Sequence, residues 1–123
     1  MNKRPININP LSIKLPVAAL VSITHRVSGL LVFLLIPALL WALQTSLSSP
    51  SGFEAVRNCI TQDTCRIILW VSVAAIAFHV VAGIRHLLMD VHIGDSKTAG
   101  RMGAYLVILV TLVVMAAAFW MWG

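Results

Sequence analysis

Ile67-Ile-Leu-Trp70-Val-Ser-Val-Ala-Ala-Ile-Ala-Phe-His79-Val-Val-Ala-Gly83-Ile-Arg85-His86-Leu-Leu-Met-Asp90 carries one ionisable side chain, His79, between Arg66 and Arg85. An apolar run of roughly 20 residues is what an ~30 Å hydrocarbon layer demands of a helix. The stretch therefore predicts a membrane-spanning helix that emerges into a charged boundary at Arg85 to Asp90. On a helix turning ~100° per residue, His79, Gly83, His86 and Asp90 fall within one narrow stripe, because their spacing follows whole turns. An imidazole at the depth of His79 needs a partner, since ionisable groups inside a membrane are costly and usually functional.

Two further runs have spanning length, at residues 27–47 and 104–122, with the first run placed at 67–88. The chain is 59% hydrophobic and 11% charged. That balance excludes an ordinary soluble domain. The predicted fold class is all-α, an integral membrane protein whose three transmembrane helices form part of a heterodimeric helical bundle. Pro37 lies inside the first span, where neighbouring helices accommodate it. Phe119, Trp120 and Trp122 close the third span with rings suited to the headgroup layer. No repeat or linker divides the chain, so residues 1–123 are expected to form one domain, with 1–26 as an N-terminal cytoplasmic segment. Pro5, Pro10 and Lys14 before the apolar run, with no small-residue cleavage site, argue against a cleaved signal peptide.

Basic residues set the orientation. Lys3, Arg4, Lys14 and Arg26 precede the first span, Arg85, Lys97 and Arg101 lie between the second and third, and only Arg57 and Arg66 lie in the other connection. The imbalance predicts a cytoplasmic N-terminus and an external C-terminus. The net charge of +5 is then a topology signal and not a sign of nucleic-acid binding. Cys59 and Cys65 fall on the outer side, where an oxidising compartment permits a disulfide. Spacing alone leaves a bridge and two free thiols equally open, and it matches neither a zinc site nor covalent haem attachment.

Before the first span, Ser22, His25, Arg26 and Gly29 share a face if the segment is helical. The orientation puts them at the same boundary as Arg85, His86 and Asp90, with His79 about 10 Å deeper at ~1.5 Å per residue. This arrangement suits a haem held edge-on, with an imidazole inside the bilayer for iron and basic groups nearer the surface for the propionates. Gly83 would admit a porphyrin close to the backbone, or equally serve helix packing. His79 is the candidate ligand or proton relay, against the alternative of a neutral histidine bonded to another helix. Arg26 has a plain reading as a snorkelling charge, and Ser22 as a backbone-satisfying hydroxyl. Together they suit a quinone carbonyl, whose oxygen gains negative charge on reduction. Asp90 either relays protons there or pairs with Arg26 or Arg85, and His92 is expected to be solvated. No other histidine reaches the depth of His79, so a second axial ligand must come from an obligate partner chain with its own transmembrane histidine.

At these residues the chain closely resembles the cytochrome b subunits of succinate dehydrogenase, the larger of two membrane anchors in bacterial complex II. The resemblance rests on Arg4-Pro5, on Ser22-x-x-His25-Arg26-x-Ser28-Gly29 and on His79-x-x-x-Gly83-x-Arg85-His86-x-x-x-Asp90. Ser46-Leu-Ser-Ser-Pro50 with Gly52-Phe-Glu54 resembles the enterobacterial-type members. The third span matches only as an apolar run. The resemblance implies that His79 is an axial ligand of a haem b shared with a second anchor subunit, and that His25, Arg26 and His86 surround the propionates. It implies that Ser22 and Arg26 line the ubiquinone pocket, with Asp90 near it. Electrons would pass from succinate, through flavoprotein and iron-sulfur subunits, to ubiquinone at the cytoplasmic face of a bacterial inner membrane, within the tricarboxylic acid cycle and aerobic respiration. The chain itself would do no succinate chemistry. A fumarate reductase running in reverse fits the same residues. A small proton-coupled transporter or channel subunit, using His79, His86 and Asp90 as a relay, is the competing class; it lacks the inverted repeat many transporters show. A purely structural assembly subunit is a third.

Overall fold

The computed structural model describes residues 16–122 and consists, among those residues, of four helices and no strand. They are α1 (Val17–Ser48), α2 (Pro50–Thr61), α3 (Asp63–Asp90) and α4 (Lys97–Trp122). Arg4-Pro5, Lys3 and Lys14 lie outside the described residues. Helices α1, α3 and α4 are each long and apolar enough to cross a membrane. At ~1.5 Å per residue, the 32 residues of α1 extend roughly 48 Å, well beyond the hydrocarbon layer.

The surplus length of α1 lies at its start. The spanning run was expected from residue 27, whereas the helix begins at Val17, directly after an extended Pro16 whose carbonyl accepts from the Ala19 and Leu20 amides. Hydropathy marks where lipid begins and says nothing of where backbone hydrogen bonding stops. Ser22, His25 and Arg26 are therefore on the same rigid rod as the apolar span. The rod continues unbroken through Pro37.

Helix α2 was not expected as an element. Ser49 caps it, its hydroxyl accepting from the Gly52 amide at 2.9 Å, and Pro50 occupies the first turn, an arrangement that satisfies one free N–H and wastes none. A side chain at Gly52 would collide with the Thr45 carbonyl, so the reversal from α1 into α2 requires glycine there. Phe53, Val56 and Ile60 recur at helical spacing, and Val56 and Ile60 face an apolar hollow shared with Leu39 of α1 and Ile68 of α3.

A disulfide joins Cys59 of α2 to Cys65 of α3, with the Cα atoms 5.7 Å apart. Closing so short a loop removes ~2 kcal/mol of chain entropy from the unfolded state. In intact membranes, a maleimide reagent should leave both thiols unlabelled until a reductant is added; labelling of both without reduction contradicts the bridge.

The three long helices meet through small residues. Ala82 of α3 and Ala104 and Val107 of α4 are buried against Val21 of α1, with Val17, Ala18, Phe78 and Val81 packed around them. Ala and Val allow close backbone approach where lipid provides no hydrophobic drive between helices. The outer faces remain apolar: Phe33 is 68% exposed and Leu112 62% exposed. Surfaces of that kind belong against lipid or a partner chain. The α3–α4 turn uses positive φ at His92 and Gly94, and His92 is exposed beside Asp95, with Nδ1 3.0 Å from its carboxylate.

Candidate functional site

At one end of the bundle, three imidazoles from two helices converge. The His25 ring of α1 stacks on His79 of α3, with centroids 4.5 Å apart and planes inclined 16°. His86 lies 6.1 Å from His25. His79 is held on one edge only: its Nδ1 is 3.1 Å from the Ser28 hydroxyl and 3.4 Å from the His25 carbonyl. Ser28 is buried, and its proton is committed to the His25 carbonyl at 2.7 Å. The Ser28 oxygen is then an acceptor, so the network assigns the His79 proton to Nδ1 and the lone pair to Nε2.

Glycine makes room for these rings. A Cβ on Gly29 would stand 3.0 Å from His79 Cε1, and one on Gly83 would stand 3.4 Å from His25 Nε2. At Gly83 an imidazole of the neighbouring helix rests against the backbone, a packing use of the glycine. His25 Nε2 is buried without a hydrogen-bond partner, an uncommon state for a polar atom.

Nearer the helix ends, Ser22, His25, Arg26, Arg85 and His86 line a cleft of about 290 Å³ with Val21 and Ala82. Four residues expected at the rim, Ser22, His25, Arg26 and His86, are thus brought to one cavity, and His79 lies beneath it, stacked on His25. Asp90 is not among the lining residues. It approaches His86 Nε2 at 3.8 Å, and not Arg26 or Arg85, because the i,i+4 spacing on α3 places it over His86. Arg85 serves the fold: its Nη2 donates to the Gly100 carbonyl at 3.1 Å, and Gly103 packs against its side chain, tying α3 to the start of α4. Among the described residues Arg26 forms no ion pair.

Ser28 and Gly29 are the residues to which sequence reasoning assigned no positioning role. The available signal was their place three and four positions after His25, on the α1 face turned to α3.

An all-helical, multi-pass membrane subunit with a cleft lined by histidine and arginine at one end is the class that this fold and site define. The chain belongs to the succinate dehydrogenase/fumarate reductase transmembrane subunit family, which it matches over residues 1–118. It is 33% identical over 122 residues to the succinate dehydrogenase cytochrome b556 subunit of Coxiella burnetii, an alignment covering 98% of each chain. The subunit of the same name from Paracoccus denitrificans is 30% identical over 118 residues, 90% of this chain and 91% of its own. That of Rickettsia typhi is 28% identical over 113 residues, 92% and 88% respectively. The likeness therefore reaches into α4, where the motifs offered only an apolar run.

Proposed function

We propose that this chain is the cytochrome b anchor of a succinate:quinone oxidoreductase, contributing one axial histidine to a haem b and one wall of a ubiquinone site. The observation that carries the reading is the state of His79: an imidazole at membrane depth, fixed through Nδ1, with its Nε2 lone pair uncommitted. A histidine metal ligand is characteristically oriented this way, through a hydrogen bond on its other nitrogen. Among the described residues no group of three or more His, Cys, Asp or Glu side chains stands ready to hold a metal ion alone. His79 would hold the iron of a prosthetic group through Nε2, with a further ligand from a second hydrophobic anchor subunit.

Bound there, the haem would supply a one-electron store beside the quinone. The chain's own residues do the rest. His79 offers Nε2 to iron. His25 and His86 offer ring N–H donors, and Arg26 its guanidinium charge, to the propionates. Ser22 and Arg26, one turn apart on α1, hold a quinone oxygen and favour its reduced, more negative form. Asp90, beside His86 and exposed, is placed to pass protons to that pocket. The iron-sulfur and flavoprotein subunits deliver electrons from succinate, and the anchor keeps them at the membrane face. In this reading residues 1–123 act as one domain of a bacterial inner membrane, N-terminus cytoplasmic and C-terminus periplasmic, which puts the Cys59–Cys65 disulfide on the oxidising side.

Ser28→Ala tests how His79 is held. Removing a hydrogen bond behind a metal-ligating histidine costs about tenfold or more in affinity for the metal group. The variant complex, co-expressed with its partners, should bind haem about tenfold more weakly and show a displaced b-type band with the subunits still assembled. A wild-type spectrum and haem affinity exclude the Ser28 contact as a support of the ligand.

A further inference from the structure

At the end of the bundle away from the histidines, a hollow of about 690 Å³ lies between the end of α2, the start of α3 and the end of α4. Its polar wall is Arg57 and Arg66, and its apolar wall is Ile60, Leu69, Trp70 and Trp122. The chain has nine Lys and Arg residues, and Arg57 and Arg66 are the two that fall between Arg26 and Arg85. Both border this one cavity. Arg57 approaches Glu54 at 3.5 Å, but both groups are exposed, and an exposed pair of this kind holds its partner weakly. Among the described residues Arg66 forms no ion pair, and neither guanidinium pairs with Asp63. Thr61, also on the wall, commits its hydroxyl proton to the Asn58 carbonyl at 2.6 Å.

Two guanidinium forks beside two indoles, at the end of membrane-spanning helices, meet the requirements of one ligand chemistry. Arg recognises phosphate through paired N–H donors, and Trp is favoured at headgroup depth. Trp70 is further set against Phe119 of α4, with centroids 5.9 Å apart, which gives the cavity a firm apolar side leading along the helices. A free oxyanion would use the arginines and leave that side without contact. We propose that this hollow binds the phosphate-bearing headgroup of an anionic phospholipid, with an acyl chain lying against Leu69 and Trp70. The site would help fix α2 and the end of α4 on α3.

The test uses the whole complex, co-expressed and purified in detergent, then incubated with equal phosphatidylglycerol and phosphatidylcholine and analysed for retained lipid by native mass spectrometry. The wild-type complex should retain phosphatidylglycerol about fivefold over phosphatidylcholine, as charge-assisted contacts predict. Arg57→Gln with Arg66→Gln should abolish the preference, while Arg101→Gln, at the other end of the bundle, should keep it. Excess inorganic phosphate should not displace the lipid; displacement assigns the site to a free oxyanion and overturns the lipid. A double variant that keeps the wild-type preference for phosphatidylglycerol overturns the site. Should that variant fail to assemble, Arg66→Gln alone decides, with about a threefold loss of preference expected and an unchanged preference counting against the proposal.

Discussion

Leucine at position 79 is expected to remove the b-type absorbance from the complex while leaving its subunits together. The side chain is close in volume to imidazole and apolar, so within the membrane the replacement relieves a polar group in place of creating one. Its loss to the fold is the contact of Nδ1 with the Ser28 hydroxyl and the His25 carbonyl and the stack on the His25 ring, while Ser28 still donates to the His25 carbonyl. Its loss to the site is complete, because leucine has no lone pair for iron. If weakening a supporting hydrogen bond costs about tenfold in affinity, removing the ligand should cost about 100-fold or more. A dithionite-reduced minus oxidised spectrum of the His79→Leu complex measures this directly. The stacked geometry makes a control necessary, since His25 lies only 4.5 Å away, centroid to centroid. His25→Gln should keep most of the band, with its position altered by the change near the propionates. A wild-type band in His79→Leu, or its disappearance in His25→Gln alone, would falsify the assignment of His79 to iron.

How far the sequence foretold this site depends on which spacing is considered. The stripe His79, Gly83, His86, Asp90 was legible because a membrane helix has one period, and the charge imbalance brought Ser22, His25 and Arg26 to the same end. Their meeting in one cleft follows from α1 packing on α3, which periodicity suggests and only three dimensions deliver. The contact of Ser28 with His79 was not legible, since 51 residues separate them and the register between α1 and α3 emerges only from their packing, with Gly29 against His79 and Gly83 against His25. The pairing of Asp90 with Arg26 or Arg85 is absent for a related reason. Its available partners included two arginines, and the local i,i+4 neighbour His86 took precedence over both. Helix α2 escaped notice because its residues lack spanning hydropathy, although the Ser49-Pro50 capping pair marks its start.

Arg26→Leu should separate succinate oxidation from quinone reduction. Arg26 is exposed, unpaired among the described residues, and lines the same cleft as Ser22. A charged hydrogen bond to an oxygen that becomes more negative contributes about 1.5–3 kcal/mol. At ~1.4 kcal/mol per tenfold, its loss should lower kcat/KM for ubiquinone about 10-fold to 100-fold. Ser22→Ala removes a neutral hydrogen bond of about 1 kcal/mol and should cost roughly fivefold. Arg26→Lys keeps the charge but not the planar fork, so it should fall between wild type and leucine. Oxidation of succinate with a water-soluble electron acceptor, which bypasses the membrane site, should be unchanged in all three. That pattern distinguishes a quinone wall from a topological charge: a snorkelling arginine with no ligand role would alter the amount of assembled complex and leave the turnover of each assembled molecule intact. Unchanged kcat/KM for ubiquinone in the assembled Arg26→Leu complex assigns this residue to membrane orientation and removes it from the quinone site.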